Sequence, residues 1–209
     1  MEDNKFFTFI KPCLDFIDNG SFYRKPFKWL YMLIAALNLF FPLYLLYQAI
    51  SKDFFKYAPG KLIAVFILAF FIVAFACWIG FQIWWDRKDK VASTSTEGDN
   101  FVATPVFSHF IQTLGEFVGV WIAIVGFGVS LLLTLLGSDS YGLSGILEFD
   151  FISAGILSAI LAPVYGFLIV VFSRFLAEQF RALAAIANNT ANKGVKKDAT
   201  INIPPGTEV

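Results

Sequence analysis

The sequence predicts an all-α, polytopic membrane protein: four transmembrane helices plus an N-terminal interfacial amphipathic helix. Four apolar stretches, 27–50, 62–85, 117–136 and 151–173, each run for about 20 residues or more. At roughly 1.5 Å per residue, each can cross a hydrocarbon core about 30 Å thick. Composition is the second observation. The 209-residue chain is 57% hydrophobic and 15% charged, with a mean hydropathy of +0.68, whereas soluble domains carry about 25% charged residues. In lipid every backbone N–H and C=O must be paired within the chain, so these stretches have to be helical.

Residues 1–20 form the interfacial segment. Phe6, Phe7, Ile10, Cys13, Leu14 and Ile17 recur at helical spacing, with Lys5, Lys11, Asp15 and Asp18 mainly on the other side. Such a helix is too short and too polar to span, so it is expected to lie in the membrane interface. Glu2 and Asp3 stand where a secretory signal would carry basic residues. Asn19-Gly20-Ser21 reads as a turn, and Arg24, Lys25 and Lys28 mark the entry to the bilayer.

The four-helix membrane domain covers 27–191. Its first two spans read as conventional crossings, with Pro42 placing a kink four residues after Asn38. Trp29, Tyr31, Tyr44, Tyr47, Trp84 and Trp85 sit at span ends, where aromatic belts are expected. Thr104-Pro105 resembles an N-cap followed by proline at the first helical position. Counted from there to Leu136, the third helix is about 48 Å long, more than the hydrocarbon requires. The fourth continues past Arg174 to about Asn189, with Leu176, Phe180, Leu183 and Ala187 keeping an apolar stripe. Both are therefore expected to project from the membrane on the cytoplasmic side. Residues 192–209, with Lys196, Lys197, Pro204, Pro205 and Gly206, read as a flexible tail.

Basic residues orient the chain. Five in the N-terminal segment, three in the middle loop (Arg87, Lys88, Lys90) and five at the C-terminal end make 13 of the 16. Lys52, Lys56 and Lys61 fall on the opposite side. The positive-inside rule then puts both termini in the cytoplasm, in a bacterial inner membrane.

Two lines of small residues predict which helices touch. Gly115, Gly119, Ala123 and Gly126, continued by Ser130, share a face of the third helix; Gly155, Ala159, Ala162 and Gly166 share one on the fourth. Small residues let backbones approach closely where lipid supplies no hydrophobic drive. The same faces serve either this helix pair or contacts between subunits.

Polar residues are sparse. His109, Gln112 and Glu116 fall on one helical face and make a candidate polar path for an ion or proton. Glu116 also lies at the expected membrane boundary, where Arg174 returns on the fourth helix. A structural Glu116–Arg174 ion pair, an ordinary interfacial carboxylate and a transport role are the three readings of that position. His109 is the only histidine, so no metal-ligand set is expected, and no cofactor motif is present. Zero net charge implies no nucleic-acid partner. Asn38, Cys77, Trp78, Ser130, Thr134, Ser158 and Tyr165 are the polar or soft groups within the spans, and they form no catalytic constellation. An enzyme is therefore not expected.

Arg174 and Glu178, then Arg181-Ala182-Leu183 and Ile186-Ala187-Asn188-Asn189-Thr190 at the exit of the last span, resemble small bacterial membrane proteins with a domain of unknown function numbered 4282. The resemblance covers about the last 40 residues. It implies apolar hairpins ending in an amphipathic cytoplasmic segment and brings no activity with it.

Function is therefore expected to lie in structure or assembly. The partners are the lipid bilayer, further copies of the chain in a homo-oligomer, and a protein at the cytoplasmic face. The alternative is a small oligomeric channel lined by the third helix.

Overall fold

A computed structural model describes residues 10–12, 21–94, 102–136 and 155–201. The helices are α1 (Ser21–Ser51), a single turn α2 (Phe54–Tyr57), α3 (Gly60–Ala92), α4 (Ala103–Trp121), α5 (Phe127–Leu136) and α6 (Ile156–Ile201). A π-helical turn, Ile122–Gly126, joins α4 to α5, so the three run on as one span. There is no strand among the described residues. Four helices are long and apolar enough to cross a membrane: Lys25–Ser51, Gly60–Val91, Ala103–Leu136 and Ile156–Thr190. The interfacial segment expected at 1–20 lies outside the described residues apart from 10–12, which are helical.

The helices pair as two antiparallel hairpins, α1 with α3 and α4–α5 with α6, and α3 against α4 joins them. In the first hairpin the chain turns after α1 through Asp53, whose φ of 52° is a left-handed conformation that Asp tolerates better than most residues. Leu45, Ala49, Phe54, Val65, Phe66, Ala69 and Val73 fill the space between its helices. Val125, Val129 and Leu133 of the third span complete that core. Pro42 removes one N–H from α1, and Asn38 on the preceding turn donates from Nδ2 to the Ile34 carbonyl at 2.8 Å.

Outside this core the helices show lipid-compatible surface. Leu37, Phe40 and Leu43 of α1, Phe71 and Phe75 of α3, and Ile160, Phe167 and Phe172 of α6 are all exposed. Contiguous apolar surface on that scale has no stable place in water. It fits hydrocarbon.

Two aromatic positions differ from the belt expected of them. Tyr31 and Trp84 are both 0% exposed and meet edge to face, their ring centroids 4.8 Å apart. Phe110 and Phe117 close round Trp84. Trp29, Tyr44, Tyr47 and Trp85 remain exposed, with the Lys88 ammonium 3.3 Å from the Trp85 ring centroid. An aromatic at a span end can face lipid or a neighbouring helix, and helix rotation decides which.

The C-terminal end also differs. The helix does not stop near Asn189; α6 continues to Ile201, into the segment expected as a tail. The sequence there has no proline before Pro204, and alanine and lysine favour helix. Residues 202–209 lie outside the described residues.

Candidate functional site: a carboxylate held by arginines from two helices

Small residues bring α4 and α6 together and so set the site's geometry. A Cβ added to Gly119 would collide with the Gly166 carbonyl oxygen, and one added to Gly166 would collide with the Gly119 carbonyl. Ala123 also lies against Gly166, and a Cβ on Gly115 would overlap the Ser173 side chain. Ala159 and Ala162 are buried. The small-residue faces are thus occupied by each other within one chain. Gly155 has a different place: it precedes α6 with φ 149° and open space around it. Its N–H donates to Thr134 Oγ1 at 2.8 Å, tying the far end of the hairpin. Gly126 is buried in the π turn.

Because α4 and α6 approach so closely, Glu116 faces Arg174. Arg174 Nε donates to Glu116 Oε1 at 2.8 Å, and Gln112 Nε2 donates to the same oxygen at 3.0 Å. The other oxygen, Oε2, pairs with Arg87 of α3. The Glu116 side chain is only 8% exposed, against 20% for Arg87 and 55% for Arg174. A carboxylate this enclosed is stable as an anion only when its lone pairs are filled, and here three donors fill them.

The node continues along α4. Gln112 Oε1 accepts from Arg181, whose Nε also donates to Ser108 Oγ at 3.1 Å. Ser108 in turn donates to the Ala177 carbonyl at 2.6 Å. On the opposite face Tyr31 of α1 donates its hydroxyl to Thr113 Oγ1 at 3.2 Å and lies 2.9 Å from His109 Nδ1. Arg87 reaches Thr113 as well, at 3.4 Å. Each of the four spanning helices contributes to one polar layer.

His109, Gln112 and Glu116 therefore sit together as one face of α4, each with a side-chain partner. Sequence reasoning placed Glu116 and Arg174 opposite one another but missed Arg87, Arg181, Tyr31, Ser108 and Thr113. Arg87 carried a usable signal: the helix has no breaker after Trp85, so a basic residue two positions on still faces a neighbour. Further into the membrane the buried polar side chains among the described residues thin out to Asn38 and Ser130. Val125, Val129 and Leu133 are buried, and Ser130 is buried among them. No group of three or more His, Cys, Asp or Glu side chains able to hold a metal occurs among the described residues.

These features define a class: an α-helical polytopic membrane protein whose spans converge on a buried acid at one end of an apolar bundle. Comparison of the chain with protein-family models, with curated proteins and with solved structures finds no match.

Proposed function

We propose that this chain is a non-enzymatic subunit of a bacterial inner-membrane assembly, with both termini in the cytoplasm, and that it associates with further copies of itself. The observation that supports this is the outer part of α6. Beyond the Glu116–Arg174 contact, which we assign to the membrane boundary, Leu183 and Ile186 are 61% and 64% exposed. Phe107 on the neighbouring part of α4 is exposed too. Apolar side chains held on projecting helices, beyond the hydrocarbon, suit a protein contact. The apolar packing above Glu116 favours this structural role over a pore through one bundle. The resemblance of the last 40 residues to membrane proteins of unknown function is consistent with such a segment and adds no activity.

Two measurements test the reading. In lipid nanodiscs the wild-type chain should have the mass of an oligomer, and Leu183→Ser with Ile186→Ser should shift it to monomer without lowering its melting temperature. A monomeric wild type in nanodiscs and in several mild detergents removes the basis for self-association. For orientation, single cysteines at Ser95 and near the C-terminus should resist an impermeant thiol reagent in intact cells, while one at Ser140 should react. Labelling at Ser95 alone overturns the arrangement.

A further inference from the structure

We propose that the seam between α3 and α6, floored by α4, binds one anionic phospholipid, with its phosphate against Arg87, Lys90 and Arg181 and an acyl chain in an apolar hollow deeper in the same seam. Two separate cavities carry this. The first is lined by α3, α4 and α6, the second by α3, α6 and the continuation of α4 through the π turn into α5.

The first cavity lies beside the polar layer and measures about 560 Å³. Arg87, Lys90, Arg181 and His109 line it, and none of its lining residues is acidic. Local charge does not balance. Glu116 is the one carboxylate bonded to Arg87 and Arg174, while the bonds of Arg181 go to the neutral Gln112 and Ser108. A guanidinium has five N–H donors, and these two partners leave Arg181 with donors to spare. Lys90 is paired, with Asp86 at 2.5 Å, but that contact is on the open surface, with both side chains more than 60% exposed. An excess of cations around a cleft that already contains hydrogen-bond donors is the chemistry that recognises a phosphate.

The second cavity, about 650 Å³, is lined by Phe71, Phe75, Ala123, Ile124, Phe127 and Pro163 among others. Its floor is the π turn. From Gln112 in the first cavity to Ala123 in the second is 11 residues of helix, about 16 Å. One leaflet of hydrocarbon is about 15 Å deep. A basic cleft at the membrane boundary and an apolar hollow one leaflet deeper match the two ends of a single lipid, and free phosphate would use only the first. Basic pockets between transmembrane helices are a recurring way of holding anionic head groups.

The inference rests on the four helices crossing a bilayer and not on self-association, so a monomeric protein leaves it standing. The test is native mass spectrometry of the full-length chain in a neutral detergent with phosphatidylglycerol or phosphatidylcholine added, alongside melting temperatures with each lipid and with inorganic phosphate. One phosphatidylglycerol per chain should be retained, with about a tenfold preference over phosphatidylcholine, and it should raise the melting temperature more than inorganic phosphate does. Arg181→Gln with Lys90→Gln should abolish the preference, while Arg181→Lys keeps most of it. Phe71→Ala with Phe75→Ala should weaken retention of both lipids equally. Lys90→Gln alone, at an exposed position, provides the reading should the double variant fail to fold. Equal retention of the two lipids, an unchanged preference in the charge variants, or stabilisation by inorganic phosphate that matches the lipid's would each overturn the proposal. The last outcome would make this a site for a soluble phosphate.

Discussion

Glu116→Gln should lower the stability of the detergent-solubilised protein by about 3–5 kcal/mol, the usual cost of removing one partner from a buried ion pair. The reason is the asymmetry of the node. One carboxylate serves two arginines, so its loss leaves Arg87 facing Arg174 and Arg181 with no counter-charge, and turns one of its two acceptor oxygens into an amide NH2 that only donates. The arginines should not be equivalent. Arg87→Gln removes the more enclosed partner, whereas Arg174 is 55% exposed and its loss leaves Glu116 still paired to Arg87. Arg174→Gln should therefore cost about 1 kcal/mol or less, nearer the range of surface pairs. Combining Glu116→Gln with Arg87→Gln should be milder than the sum, because the double variant leaves neither charge stranded. Denaturant-titrated unfolding in mixed micelles measures all four proteins. Strict additivity, or an Arg174→Gln cost equal to that of Arg87→Gln, would be incompatible with this arrangement.

The second large effect is expected at Gly119. Here a Cβ would meet the Gly166 backbone carbonyl, which cannot swing aside as a side chain can. Gly119→Ala should force α4 and α6 apart and cost about 1–3 kcal/mol, with Gly119→Leu abolishing the folded form. Gly80 is the informative comparison. A Cβ there would approach Asn38 Oδ1 at 2.6 Å and Phe117 at 2.7 Å, both side-chain atoms and not backbone. Gly80→Ala should thus cost less than Gly119→Ala. At Gly60 nothing lies within 4 Å, and Gly60→Ala should be neutral or stabilising by about 0.4–1 kcal/mol through the unfolded chain. A Gly119→Ala protein that melts with the wild type would contradict the close packing of these helices.

The four spans were legible because hydrocarbon imposes a minimum apolar length, and nothing else in the chain competes with that signal. The early start of the third span was legible from Thr104-Pro105, although the helix begins two residues before Pro105, at Ala103, with Val102 and not Thr104 at its cap. The facing of Glu116 and Arg174 followed from depth alone, since both fall where apolar runs end. What depth does not give is rotation about each helix axis. Tyr31 and Trp84 look like belt residues until α1 and α3 are turned inward, and only the packing with Phe110 and Phe117 decides that turn. Arg87 was read as a loop cation because the second span was ended at Trp85, whereas α3 runs on to Ala92. The π turn leaves no mark in Ile122–Gly126 that distinguishes it from ordinary helix.

The length of α6 has a mechanical consequence. From Arg181, bonded to Gln112 and Ser108 of α4, to Ile201, 20 residues extend about 30 Å. The close approach at Gly166, the ion pair and the Arg181 bonds act together as a fulcrum, with the helix beyond them as an arm. A change of tilt of about 10°, small within the range that membrane helices adopt, would swing Ile201 sideways by about 5 Å. Bilayer thickness alters tilt, so a thinner or thicker membrane would be read out as displacement at the outer end of α6.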